Sequence, residues 1–185
     1  MRGWKRERCV CSEGLVGGIA EVAGALPIRY SGQALTFMGD KGRFVLPPDF
    51  RNMVKESSEG RVLCLASHSR FGCLVGFGLS RQLELDAQLD REEEMASRVG
   101  REFDREIREN QLFGFKRIPF DDSGRFTMPD FLQSQGQVGD ALYFQGAGPS
   151  FTVWNPAILA QQNDDWNGAK AACADLLTEA EAKRK

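Results

Sequence analysis

Apolar and polar residues alternate along this chain in short bursts, and the bursts come in matched sets. From Tyr30 onward, Ala34 to Met38 and Phe115 to Phe120 read as strands. Each is followed by a charged turn, a second short alternating run, a proline, and a helix-like piece carrying Phe50 or Leu132. A hairpin then closes each set. The first is Val62-Leu63-Cys64-Leu65 with Cys73-Leu74-Val75-Gly76-Phe77; the second is Ala141-Leu142-Tyr143-Phe144 with Phe151-Thr152-Val153-Trp154. Between the sets, from about Ser80 to Leu112, Leu85, Leu89, Met95, Val99, Phe103 and Ile107 recur mostly at four-residue steps in a charged background. That spacing predicts one amphipathic helix with a buried stripe. Pro156 to Gln162 and the alanine-rich Ala169 to Ala182 predict two more helices, with Lys183-Arg184-Lys185 as a frayed end.

The turns themselves are duplicated. Asp40-Lys41-Gly42-Arg43-Phe44-Val45-Leu46-Pro47 returns as Asp122-Ser123-Gly124-Arg125-Phe126-Thr127-Met128-Pro129. Asp favours a turn because its carboxylate can accept from backbone amides, and Gly takes the positive φ of a tight reversal. Asp40, Gly42, Asp121 and Gly124 are therefore the turn-forming residues, and Arg43 and Arg125 lead the outgoing strands. Two readings of these arginines stand at this point: a planar fork offered to phosphate or a guanine edge, or an ion pair that staples the turn.

Residues 1–29 differ in kind. Arg2, Lys5, Arg6 and Arg8 precede a Gly/Ala/Val-rich stretch from Gly14 to Leu26, the ingredients of a secretory signal, but Glu13 and Glu21 interrupt the apolar segment. A disordered leader, or upstream sequence ahead of a later start, fits better. The organisation expected is a leader over 1–29, a repeat over 30–78, a helical connector over 79–112, a second repeat over 113–160 and a helical tail over 161–185.

Composition narrows the chemistry. The 185 residues are 42% hydrophobic and 27% charged, as in folded soluble domains. With 24 Lys and Arg against 26 Asp and Glu, the net charge of −2 excludes a uniformly basic coat but not a local basic face. No apolar run approaches the ~18 residues that suggest a membrane helix. The five cysteines form no paired CxxC spacing and read as reduced thiols, so neither a structural metal nor any other cofactor is expected. His68, the single histidine, lies in Ser67-His68-Ser69-Arg70 and reads as an exposed hairpin-loop residue. With one imidazole and no P-loop, HExxH or GxSxG motif, no enzyme is expected.

Tyr30-Ser31-Gly32, the segment Gly39 to Arg51, and Phe120 to Pro129 resemble the MraZ family of bacterial transcriptional regulators, which contain two SpoVT-AbrB-type domains. The family's Asp-x-x-x-Arg is matched by Asp121 to Arg125. In the first copy Gly39 stands where Asp is expected, with Asp40 one position on. The resemblance runs from about Tyr30 to Gln162. It implies an α+β chain, mainly β, in which two repeats interleave as a swapped-hairpin β-barrel, and a closed homo-oligomeric ring located in the cytoplasm with the nucleoid. It further implies binding to double-stranded DNA repeats upstream of the division and cell-wall gene cluster. Lys41 and Arg43 are then the leading DNA contacts, with Arg125 behind them and Arg51 as a secondary candidate whose other reading is an ion pair. The competing class is a ring-forming scaffold or antitoxin-like module that holds a protein partner on the segment around Met95 to Ile107.

Overall fold

The computed structural model describes residues 28–184. The first half lays down β1 (Gln33–Phe37), a tight turn at Asp40–Gly42, β2 (Arg43–Val45), α1 (Pro48–Ser58), β3 (Val62–Ser67) and β4 (Leu74–Phe77). Pro48 starts α1 because its fixed φ suits the first helical turn, where an N–H has no intrahelical partner. Phe50, Val54 and Ser57, at helical spacing, are its buried face.

The middle segment forms two helices instead of one: α2 (Leu85–Arg98), entered through a 3-10 turn at Leu79–Glu84, and α3 (Arg105–Phe113). The chain reverses at Gly100, whose φ of 63° closes a turn onto the Ser97 carbonyl, and Asp104 restarts it by accepting from the Ile107 N–H at 3.0 Å. This break splits the expected stripe. Leu85 and Leu89 are buried, whereas Met95, Val99 and Ile107 are 66%, 72% and 57% exposed. Arg105 to Asp90 at 2.7 Å and Arg108 to Glu92 at 2.6 Å join the two helices instead.

The second half repeats the plan with β5 (Lys116–Pro119), β6 (Arg125–Thr127), α4 (Asp130–Gln135), β7 (Ala141–Gly146) and β8 (Phe151–Trp154). Two further helices follow, α5 (Pro156–Ala160) and α6 (Asn167–Arg184), so the C-terminal helix continues through Lys183.

The result is α+β, with an antiparallel six-stranded sheet in the order β1-β7-β8-β4-β3-β5 and a two-stranded ribbon, β2-β6. The halves exchange strands. β1 adds to the β7–β8 hairpin of the second half and β5 to the β3–β4 hairpin of the first, while β4 pairs with β8 where the hairpins meet. The sheet stays open at β1 and β5, so no closed barrel forms among the described residues. Phe44, Phe50, Phe126, Leu142, Phe144 and Phe151 belong to the main core. A second cluster, with Trp154, Tyr143, Cys73 and Cys173, packs under α6. The leader, with Cys9 and Cys11, lies outside the described residues except for Ile28 and Arg29.

Candidate nucleic-acid interface

The duplicated turns come together because their outgoing strands pair. Arg43 lies opposite Thr127, Phe44 opposite Phe126 and Val45 opposite Arg125. Side chains alternate across a strand, so Phe44 and Phe126 turn into the core while Arg43, Val45, Arg125 and Thr127 share the outer face. The two arginines thus occupy opposite ends of one short ribbon.

The turns share a frame. The Gly39 N–H donates to the Arg43 carbonyl at 2.8 Å, and the Asp121 N–H donates to the Arg125 carbonyl at 3.0 Å. Gly42 has φ 65° and Gly124 φ 82°, both in the left-handed region that favours glycine. Lys41 also has positive φ, 62°, an uncommon conformation for a residue with a Cβ, and it stands exposed at the tip. Gly124 is further confined: a Cβ there would lie 2.9 Å from the Leu46 carbonyl oxygen and 2.9 Å from Arg51 Cδ. That contact seats Arg51, from the first turn of α1, against the second loop. Arg51 makes no ion pair among the described residues.

Side chains make the two turns unequal. Asp121 Oδ1 accepts from the N–H groups of Ser123 and Arg125, each at 2.9 Å, and Oδ2 lies 3.8 Å from Arg125 Nη1. The Arg125 amide above all, with the Ser123 amide and the charges of Arg125 and Arg43, holds this carboxyl below its ordinary pKa against desolvation, which opposes them. Gly39 supplies no carboxylate to the first turn, and Asp40 does not replace it. Arg43 forms no ion pair among the described residues, and its Nε is buried without a hydrogen-bond partner.

Sequence reasoning passed over Arg61, which pairs with Asp122 beside the second turn. Its signal was faint, a lone arginine after Gly60 at the start of β3. It also placed His68 on an exposed loop, whereas the ring is half-buried against Phe71, with centroids 4.8 Å apart. The reason is local: His68 Nδ1 accepts from the N–H groups of Arg70 and Phe71, at 3.1 and 3.3 Å, which folds the hairpin loop over the imidazole. No group of three or more potential metal ligands occurs among the described residues, and no described helix is long and apolar enough to cross a membrane.

No family model matches the chain. It is similar to proteins named transcriptional regulator MraZ. The one from Maridesulfovibrio salexigens is 29% identical over 150 residues, covering 79% of this chain and 96% of that protein. The one from Rhodospirillum rubrum is 30% identical over 120 residues, covering 64% of this chain and 74% of that protein. The chain belongs to the MraZ family of transcriptional regulators. A third MraZ, from Parvibaculum lavamentivorans, is 27% identical over 132 residues, 71% of this chain and 78% of that protein. MraZ proteins are named as regulators and not as enzymes, compatible with a chain that carries one histidine. In this family member Gly39 leaves Arg43, among the described residues, without the carboxylate brace that Asp121 gives Arg125.

Proposed function

We propose that this MraZ-family regulator binds double-stranded DNA through the outer face of the β2–β6 ribbon. Arg43 and Lys41 are the principal contacts, with Arg125 and Arg51 beside them. One observation carries the reading: Arg43 and Arg125 project from the same face of a ribbon whose other face is anchored by Phe44 and Phe126. A two-stranded ribbon is narrow enough for the major groove, where an arginine can take guanine O6 and N7 together. Arg51 and Arg61, close to the second turn, suit phosphate contacts that set register without reading sequence.

The finer family picture belongs to the same proposal. Residues 30–78 and 113–160 act as two SpoVT-AbrB-like repeats in a swapped-hairpin arrangement, a reading supported by the exchange of β1 and β5 between halves. Protomers assemble as a homo-oligomeric ring that meets repeated sites upstream of the division and cell-wall gene cluster. Multivalency then raises the affinity of individually weak contacts.

The test is binding of the full chain, Arg43→Ala and Arg125→Ala to the DNA upstream of its own gene across a salt series, with oligomer size followed alongside. Wild type should lose affinity steeply with salt, each neutralised phosphate adding about −0.9 to the log–log slope. Arg43→Ala should bind roughly 5- to 150-fold more weakly, the scale of one lost base contact, while staying assembled. Salt-insensitive binding, or equal binding by wild type and Arg43→Ala, would remove the ribbon as the DNA-reading element. The scaffold reading, favoured by the exposed Met95, Val99 and Ile107, would then lead.

A further inference from the structure

A cavity of about 430 Å³ opens between the β3–β4 hairpin and helices α2 and α3, within the size range of small-molecule sites. Phe77 and Leu85 contribute an apolar wall, and Arg81, Arg91, Arg108 and His68 supply polar groups. No carboxylate lines the cavity among the described residues. The site lies well away from the ribbon. Arg61, which pairs with Asp122 of the second turn, immediately precedes β3, and Ser67 at the cavity ends it. At ~3.3 Å per residue that strand spans roughly 20 Å.

Two of the guanidinium groups, those of Arg81 and Arg108, are braced with donors to spare. Arg81 donates to Glu84 and to Gln88, two of its five N–H groups. Arg108 donates to both oxygens of Glu92 and to Gln111, three of its five. Gln88 Nε2 donates to Glu92 at 2.7 Å and ties the two arginine clusters together. Arg91 stands exposed and makes no salt bridge among the described residues. His68 Nδ1 is occupied as an acceptor, so the neutral ring carries its proton on Nε2, a further donor without a partner among the described residues. Burial, then the charges of Arg70 and Arg108, keep the imidazole below its ordinary pKa of 6.5 and therefore in that neutral form.

We propose that this cavity binds a small organic anion, a phosphate or carboxylate carried on an apolar or aromatic body. Arg91 and the free donors of Arg81 and Arg108 would hold the charged end, and Phe77 and Leu85 would cover the body. The braced guanidinium groups of Arg81 and Arg108 cost little ordering on binding, and the exposed Arg91 adds charge at the rim.

The experiment is a fluorescence titration of the full-length protein, free of DNA, with 8-anilinonaphthalene-1-sulfonate. Phenyl phosphate, 1-naphthoate and the neutral 1-naphthol serve as competitors. One saturable site per chain is expected, displaced by the two anions and far less by 1-naphthol; the tighter anion identifies the headgroup. Arg91→Glu should weaken binding about tenfold or more through charge reversal, and Arg91→Lys should keep it within about threefold. Arg91→Lys should unfold at the wild-type temperature, since it keeps the charge that Arg91 sets beside Glu92, and circular dichroism should show Arg91→Glu folded at the titration temperature. Unsaturable binding, equal affinity in Arg91→Glu, or equal displacement by 1-naphthol would overturn the proposal. The DNA reading is untouched by any of these outcomes because the titration contains no DNA.

Discussion

Phe44 and Phe126, which hold the same place in the two repeated segments, lie directly opposite each other in the β2–β6 ribbon with ring centroids 6.3 Å apart. Both are buried. The pair therefore sits on an approximate twofold axis that relates the halves, and it fixes the ribbon to the core. Either alanine substitution should cost about 3–5 kcal/mol. A double-mutant cycle should return a coupling of roughly 0.5–1.5 kcal/mol for the aromatic contact. Urea unfolding of the two single variants and the double variant checks both values.

The two turn glycines should respond unequally to alanine. Gly42 has open space around it, so Gly42→Ala meets the left-handed backbone cost alone, about 1–2 kcal/mol. Gly124→Ala adds a clash with the Leu46 carbonyl and should exceed it by roughly 1 kcal/mol or more. Urea midpoints at constant slope would reveal the order, and a smaller loss for Gly124→Ala would contradict the close approach.

Asp121 makes stability depend on pH in one direction. Its folded pKa lies below the ordinary 3.8, so its contribution is present above that value and is lost as pH falls through the lower, folded value. Asp121→Asn should therefore be less stable than wild type at pH 7, with the gap closing in acid. Thermal unfolding from pH 7 down to pH 2.5 follows it. A gap that widens in acid would show that the carboxylate does not act through these amides.

Much of this was readable in the sequence. Both hairpins, both short strands ahead of the turns, and the Phe50 and Leu132 helices stand where alternation and proline placement put them. Period-two alternation survives folding because one face must be buried whatever the partner strand. The halves' exchange of β1 and β5 is different in kind: strand pairing across the halves depends on contacts remote in sequence, and no local pattern encodes them. The middle segment misled for a related reason. Four-residue spacing continues through Val99 and Phe103 even though Gly100 breaks the helix, and a lone glycine inside an apolar rhythm is weak punctuation. At the site, Gly42 and Gly124 take the positive φ that glycine invites and Asp121 accepts backbone amides, whereas Asp40 accepts none among the described residues; Arg61 and the cavity beside His68 required the packing of β3 against distant segments.

The α2–α3 pairing should depend on Glu92. Its carboxylate takes two hydrogen bonds from the partly buried Arg108 and one from Gln88, and the Arg108 bond, ahead of the Gln88 bond, holds its pKa below the ordinary value against desolvation. Glu92→Gln should cost about 1–2 kcal/mol, the ~1.5–3 kcal/mol of a hydrogen bond to a charged group reduced by the partial exposure of both partners. Hydrogen exchange should accelerate across Arg105–Phe113 and stay unchanged in β7 and β8. Uniform acceleration would mean that the helices unfold with the sheet.

Cys64, Cys73 and Cys173 are buried free thiols with pKa values pushed up by burial to about 11, 12 and 11. In native protein at pH 8 all three should resist iodoacetamide, and all should react once urea unfolds the chain. Peptide mapping of the alkylated sites distinguishes them from Cys9 and Cys11. Native labelling of Cys73 would show that the cluster under α6 opens readily.

Two identical chains meeting on a twofold axis must present identical loops, and such a surface cannot distinguish left from right along a duplex. Here the same geometry is built from one chain, and the halves have drifted: Arg125 is tethered by Asp121, and Arg43 opposite Gly39 is not. The ribbon consequently has a head and a tail. On the DNA reading, each protomer would favour one orientation on its site, and inverting a single repeat within the upstream array would be felt as a mismatch even though every base were retained.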